Sequence, residues 1–308
     1  MTVPRQAVYV DSPTEFRNPR TSDIDQLSTV DVLRKISAED SLVPGAVADV
    51  LDELSIAVDL AADALRTGGR VHYVGAGTSG RLANLDAAEL VPTFNIPSHW
   101  FVAHHAGGQR ALSAATEDVE DDAEAGAESI NATVETGDFV LGLTASGRTP
   151  FVLGALRAAR ERGAAVGLVS GNPHVGHNVD VDVLIAPDTG PEAIAGSTRM
   201  KAGTAQKLVL TSFSTAVMVK LGHTYSNLMV SVRATNAKLR GRTQRILREA
   251  TGLSTKECTD ALDEAGGDLK LALVYLLSGV DVNRADVALH ETGGHVRNAL
   301  DRLSTPVS

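Results

Sequence analysis

The sequence is poor in cysteine and in long apolar runs, and each shortage excludes something. A single cysteine, Cys258, allows no internal disulfide, and its charged helical setting, STKECTDALDEA, makes it a structural residue. No stretch approaches the roughly 18 uncharged apolar residues of a membrane-spanning helix. The start, MTVPRQAVYVDSPTEF, lacks the basic-then-apolar build of a signal peptide, so the cytoplasm is the expected location and no membrane partner is expected. Basic residues are in deficit too: 28 Lys and Arg against 38 Asp and Glu give a net charge of −10, which disfavours nucleic acid as a partner. An anionic ligand would have to be captured by local groups. What the chain does have is length and core, with 308 residues of which 43% are apolar, enough for one large domain or two modest ones.

The stretch that organises the rest is VHYVGAGTSGRLANLDAAELVPTF, from Val71 to Phe94. It reads as a buried strand, a turn of glycines and hydroxyls (Gly75 to Gly80), and a helix. Such a turn feeding a helix start exposes free N–H groups at a positive helix end, a ready anion site. The pattern G-x-G-x-x-G also fits a dinucleotide turn, but that reading needs an acidic residue about 20 positions on. None occurs between Glu89 and Glu117. Gly77, Thr78 and Ser79 therefore suit the oxygens of a phosphomonoester.

A second turn of the same build, Ala145-Ser146-Gly147-Arg148-Thr149-Pro150, follows the apolar run DFVLGLT. Ser146 and Thr149 bring hydroxyls, Arg148 brings charge, and Pro150 suits a first helical turn. A third, GSTRMKAGTAQK from Gly196, brings Ser197 and Lys201. Strands are expected at 71–75, 98–103, 138–144, 164–170 and 181–186, with helices at 81–91, 109–132, 150–162 and 197–222. This alternation predicts an α/β fold, a five-stranded parallel sheet sandwiched by helices, with the three turns at the carboxyl ends of the strands.

Around this core, residues 1–22 read as an extended arm, and 23–66 as two helices, the first capped by Ser28 and the second ended by Thr67-Gly68-Gly69. A further helix is expected over 226–249. The last sixty residues read as short amphipathic helices capped by Ser254 and Asp268, a small C-terminal helical subdomain. The expected division is 1–44 for the arm and first helix, 45–240 for the α/β domain that carries the three turns, and 241–308 for the C-terminal subdomain.

Several chemistries fail on spacing. His290 and His295 are five apart and interrupted by glycines, unlike a helical zinc pair, and His174 and His177 read as exposed loop histidines. No Ser-His-Asp set can be assembled. Two carboxylates remain. Glu89 has apolar neighbours whose desolvation would raise its pKa toward a useful general acid. Glu120, in the acidic run from Glu117 to Asp122, reads by itself as part of a solvated helix face.

GAGTSGRLANLDAAE, ASGRTP and GSTRMKAGTAQKLVL resemble the N-acetylmuramic acid 6-phosphate etherases of the sugar isomerase (SIS) superfamily. The likeness runs from Thr14 through NLMV and ATNAKL (Asn227 to Val230, Ala234 to Leu239) to Gly293-Gly294. Leu90-Val91 and Ser231 depart from the family pattern, where Cys-Pro and an acidic residue are common. The resemblance implies a flavodoxin-like SIS fold, a homodimer, a sugar-phosphate substrate and no cofactor or metal. It further implies cleavage of the lactyl ether to N-acetylglucosamine 6-phosphate and D-lactate, with Glu89 as the acid and Glu120 as the second carboxylate, the C2 base. A helix unbroken from Arg81 would carry Glu89 about 12 Å beyond the phosphate turn at 1.5 Å per residue. Either that helix breaks early or Glu89 serves a second subunit. Two other readings share the phosphate turns: a sugar-phosphate-sensing regulator, since the resemblance reaches the glucokinase regulatory proteins, and an aldose-ketose phosphate isomerase.

Overall fold

β-Branched and apolar runs become the strands of one parallel sheet: β1 Val71–Gly75, β2 Phe101–His105, β3 Phe139–Thr144, β4 Ala165–Ser170 and β5 Val183–Ile185. The computed structural model describes residues 12–114, 118–175, 179–232 and 237–305, so the first eleven residues, His177 and the first half of the ATNAKL motif lie outside the described residues. The strand order is β2-β1-β3-β4-β5, the flavodoxin-like doubly wound order, whose switch point lies between β1 and β3. β1 and β3 are buried along their whole length, as strands covered on both faces must be.

The helices are α1 Thr29–Asp40, α2 Val43–Ala48, α3 Leu51–Arg66, α4 Gly77–Phe94, α5 Gly108–Ser113, α6 Ala123–Asn131, α7 Pro150–Glu161 and α8 Lys201–Lys220, then α9 Ala237–Thr251, α10 Thr255–Glu264, α11 Leu269–Ser278, α12 Val282–Glu291 and α13 Val296–Ser304. Ser28 caps α1 by accepting from the Asp31 N–H, and Thr67 to Gly69 end α3 with Gly68 at φ 88 and its successor's N–H on Ala64 O.

Three expectations need correction. The helix expected over 109–132 is broken into α5, a 3₁₀ turn at Val119–Asp121, and α6, because Asp118 adopts φ 66 and Asp122 caps α6 by accepting from Ala125 N–H. The acidic run thus supplies a turn and a cap instead of a helix face. The helix expected over 226–249 starts only at Ala237; before it, Thr224–Tyr225 and Leu228–Met229 pair as a hairpin through Ser226 at φ 52. The segment 23–66 holds three helices, Pro44 starting the middle one. Residues 12–26 are short 3₁₀ turns packed on their own chain, with Asn18 Nδ2 donating to Pro191 O and Thr21 Oγ1 to Ala193 O.

By contact density the chain forms two compact units, one within 1–87 and 99–213, the other within 88–98 and 214–308. The expected boundaries at 44 and 240 followed composition instead. The second unit has its own core of Leu247, Leu273, Val274, Ala285 and Ala299, into which Cys258 is fully buried. Among the described residues no helix is long and apolar enough to cross a membrane.

Beneath the sheet of the first unit lies a buried polar chain. Asp138 accepts from the backbone N–H of Arg70 and Glu135, and its Oδ2 lies 3.1 Å from His72 Nε2. An ionised carboxylate only accepts, so His72 donates from Nε2 and takes the His104 Nε2–H at Nδ1, 3.0 Å away. Burial, then the charges of His72 and Arg70, lower the His104 pKa from 6.5 to about 4. The unfolded chain therefore binds a proton that the folded chain refuses. Stability is full above pH 6.5 and declines as pH falls toward 4, by about 3 kcal/mol for this group. Urea unfolding of His104→Asn across that window should show a shallower acid slope than the parent; an unchanged slope would remove His104 from the account.

Candidate active site

At the switch point, α4 begins inside the first turn, at Gly77, four residues earlier than expected. A Cβ on Gly75 would stand 2.7 Å from Gly80 N, and one on Gly80 would stand 2.5 Å from Gly75 O and 2.6 Å from the His105 ring. These two glycines serve strand-to-helix contact, so the helix N-terminus can sit directly on the sheet. Gly77 differs: at φ 54 with nothing within 4 Å of a would-be Cβ, it is the open glycine of the turn. Thr78 is half-buried and Ser79 buried. His105, which sequence reasoning passed over, closes β2 beside them; its Nδ1–H donates to Ala106 O, and its Nε2 is buried with no hydrogen-bond partner among the described residues.

The second turn is built around Thr144. Its Oγ1 lies 2.7 Å from Thr149 Oγ1 and 3.4 Å from Ser146 Oγ and accepts from the Gly147 N–H, while Ser146 Oγ accepts from the Arg148 N–H. The hydroxyls thus preform the loop, and the Arg148 side chain stays exposed. Gly147, at φ 75, has no room for a side chain, since a Cβ would fall 1.9 Å from Val175. Asn172 donates to Ser146 O and so ties this turn to the segment after β4. Thr144 and Asn172 were not singled out in the sequence, where one reads as strand and the other as a plain Gly-Asn-Pro bend.

The third turn meets the first directly and faces the second across Gly171. A Cβ on Gly203 would lie 3.4 Å from Thr78 Cγ2, and one on Gly171 2.8 Å from Ala145 O and 3.4 Å from Ala202 Cβ. Gly77, Thr78, Ser79, Ser146, Arg148, Thr149 and Ser197 therefore sit on turns of one continuous rim at the carboxyl edge of the sheet.

Lys201 does not join them. It is fully buried, and its Nζ donates to Glu39 Oε2 and Thr189 O, both at 2.8 Å. Glu39, equally buried, also takes the Arg20 guanidinium; hydrogen bonding to Arg20, with Lys201 and Asn18 adding to it against the cost of burial, lowers its pKa to about 2. The ammonium is held by the frame, so Lys201 is corrected from phosphate contact to structural cation. The first amides of α8 are taken as well. Glu192, fully buried, accepts from Lys201 N–H and Ala202 N–H at 2.9 Å each, and burial raises its pKa against the pull of those amides. The anion at this helix start is the protein's own carboxylate.

Of the two candidate catalytic carboxylates, Glu120 is exposed on the 3₁₀ turn Val119–Asp121. Glu89 is exposed on α4, which removes the desolvated setting expected for it within one chain. α4 runs unbroken past it to Phe94, so the early break is excluded, and Glu89 stands about 15 Å along the axis from Ser79. Among the described residues no group of three or more His, Cys, Asp and Glu could hold a metal ion.

The description "Glucokinase regulatory protein N-terminal SIS domain" belongs to the family model that matches residues 53–160. The N-acetylmuramic acid 6-phosphate etherase of Thermobifida fusca (strain YX) is 62% identical over 269 residues, 87% of this chain and 88% of its own. That of Cutibacterium acnes (strain DSM 16379 / KPA171202) is 49% identical over 290 residues, 94% of this chain and 95% of its own. Among solved structures, a phosphoheptose isomerase from Francisella tularensis aligns at 18% identity and a TM-score of 0.49, over 62% of this chain and 98% of its own. Identity of the extent seen with the etherases, over nearly the whole of both chains, makes this chain a member of the N-acetylmuramic acid 6-phosphate etherase family.

Proposed function

We propose that the protein is a carbon–oxygen lyase that cleaves the D-lactyl ether of N-acetylmuramic acid 6-phosphate, with water, to N-acetylglucosamine 6-phosphate and D-lactate. It would do so in the cytoplasm, in the recycling of cell-wall amino sugars. Family membership over most of the chain carries the reading. The rim of hydroxyl-bearing turns at the switch point adds a place for the phosphate, with Ser79, Ser146, Thr149 and Ser197 offering hydroxyls and Arg148 its guanidinium.

In the open-chain sugar the aldehyde acidifies the C2 proton. Glu120 as the carboxylate removes it, and Glu89 as the acid gives a proton to the lactate oxygen as the C3–O bond breaks. Water then adds across the unsaturated aldehyde, restoring a hydroxyl at C3 and a proton at C2. Leu85, Ala88, Glu89 and Pro92 share one exposed face of α4, at helical spacing, with Leu85 53% exposed. A second copy of the chain covering that face would take Glu89 out of water, the setting a general acid requires. The protein therefore acts as a homodimer in which Glu89 serves the partner's site.

Purified protein given N-acetylmuramic acid 6-phosphate should release D-lactate in step with N-acetylglucosamine 6-phosphate. Binding without turnover would favour a sensor, and a ketose phosphate without lactate an isomerase. Ser146→Ala removes a hydroxyl from non-reacting oxygens, so initial-rate kinetics should show KM raised on the order of 10-fold with a smaller loss in kcat. A pure kcat defect at normal KM would count against Ser146 as a phosphate contact.

A further inference from the structure

The second turn of α4 opens on a side chain that the reaction scheme leaves unused. Arg81 follows Gly80, and its guanidinium reaches the end of α5: Nε donates to Leu112 O at 2.9 Å, and one terminal nitrogen donates to Ala111 O at 2.8 Å and Ala114 O at 3.2 Å. These are carbonyls that a helix C-terminus leaves without intrahelical partners. α5 has six residues, too few to hold its shape without such help. Beyond it the chain reaches the Val119–Asp121 turn, which carries Glu120. Val119 packs on the cluster containing Ala106 and Phe151, and both its methyls lie 3.3 Å from where a Cβ on Gly107 would be. The turn bearing Glu120 is thus pinned to α7 on one side, while the α5 end leading into it is pinned by Arg81.

We propose that Arg81 is a positioning residue for Glu120: by fastening the end of α5 to α4 just after its first turn, it fixes the base relative to the phosphate-binding turn that Arg81 directly follows. The inference rests on Glu120 being the C2 base. A guanidinium suits the task because its planar fork serves three carbonyls at once, which the three rotating N–H bonds of a lysine on a flexible stem match poorly.

The test is the exchange of the C2 proton of N-acetylglucosamine 6-phosphate with deuterated water, followed by NMR, together with D-lactate kinetics. The proteins compared are the wild type, Arg81→Met, Arg81→Lys, Glu120→Gln and the double variant Arg81→Met/Glu120→Gln. Displacement of a reacting group by about 1 Å costs about 100-fold, so Arg81→Met should slow exchange and kcat on that scale while KM stays near the wild-type value. Arg81→Lys should lose less. If Arg81 acts through Glu120, Arg81→Met should add nothing once Glu120 is Gln. Wild-type exchange in Arg81→Met, equal slowing with and without Glu120, or a raised KM at normal kcat would each overturn the assignment. Should Arg81→Met fail to fold, Arg81→Lys in both backgrounds decides by the same comparison. A wild-type protein that releases no D-lactate overturns the etherase reading and this one with it, whereas an active wild type with the Arg81 results reversed overturns this one alone.

Discussion

Glu89→Ala is expected to release no D-lactate from N-acetylmuramic acid 6-phosphate and yet to keep exchanging the C2 proton of N-acetylglucosamine 6-phosphate with deuterated water. Glu120→Ala should lose that exchange by about 100- to 10,000-fold, the span typical of a removed general base. The asymmetry follows from the chemistry. Enolisation needs only the base, while departure of lactate needs the base and then a proton at C3. The two residues are also carried differently, Glu120 on a short braced turn and Glu89 on a helix face left open in the single chain. Mixing Glu89→Ala with Glu120→Ala subunits should restore lactate release if each site draws on both copies, because one hybrid site then holds both carboxylates. Full exchange in Glu120→Ala would return that residue to the solvated surface.

Lys201→Met should lower stability by about 3–5 kcal/mol, the cost of stripping one partner from a buried ion pair. That corresponds to a thermal midpoint lower by on the order of 10 °C. Lys201 and Glu39 are both fully buried, so the loss leaves a carboxylate whose remaining cation, Arg20, is 55% exposed. Replacing both members, as Glu39→Leu/Lys201→Met, should recover much of the loss, since apolar pairs often match buried ionic ones. Had Lys201 been a phosphate ligand, Lys201→Met would raise KM at an unchanged midpoint, and that result would undo the structural assignment. Glu39, with its pKa lowered to about 2, contributes its share in full above its ordinary 4.5 and gives it up as pH falls through 2.

The sheet was readable because β1, β3 and β4 are largely apolar runs ending on turn residues, which local patterning encodes directly. The first two phosphate turns were readable for the same reason, since each is contiguous in sequence. What could not be read lies between distant segments. Lys201 looks like a free cation at a helix start until Glu39, 162 positions away in sequence, is brought beside it. Glu192 caps α8 from nine residues upstream of Lys201, outside the window in which a cap leaves a sequence signature. The acidic run at 118–122 misled because one composition serves a solvated helix face or a turn with a cap, and Asp118 at φ 66 decides for the turn.

The continuity of α4 also bears on which sequence changes the family can absorb. Gly77 and Glu89 belong to one rod, so their separation is counted in residues and cannot be adjusted by a loop. Inserting one residue between Gly80 and Glu89 would advance the carboxylate by about 1.5 Å and swing it about 100° around the axis relative to the phosphate turn. No rotamer of a glutamate compensates for such a swing. The stretch between the phosphate turn and Glu89 is thus locked in length, whatever side chains it carries besides Arg81.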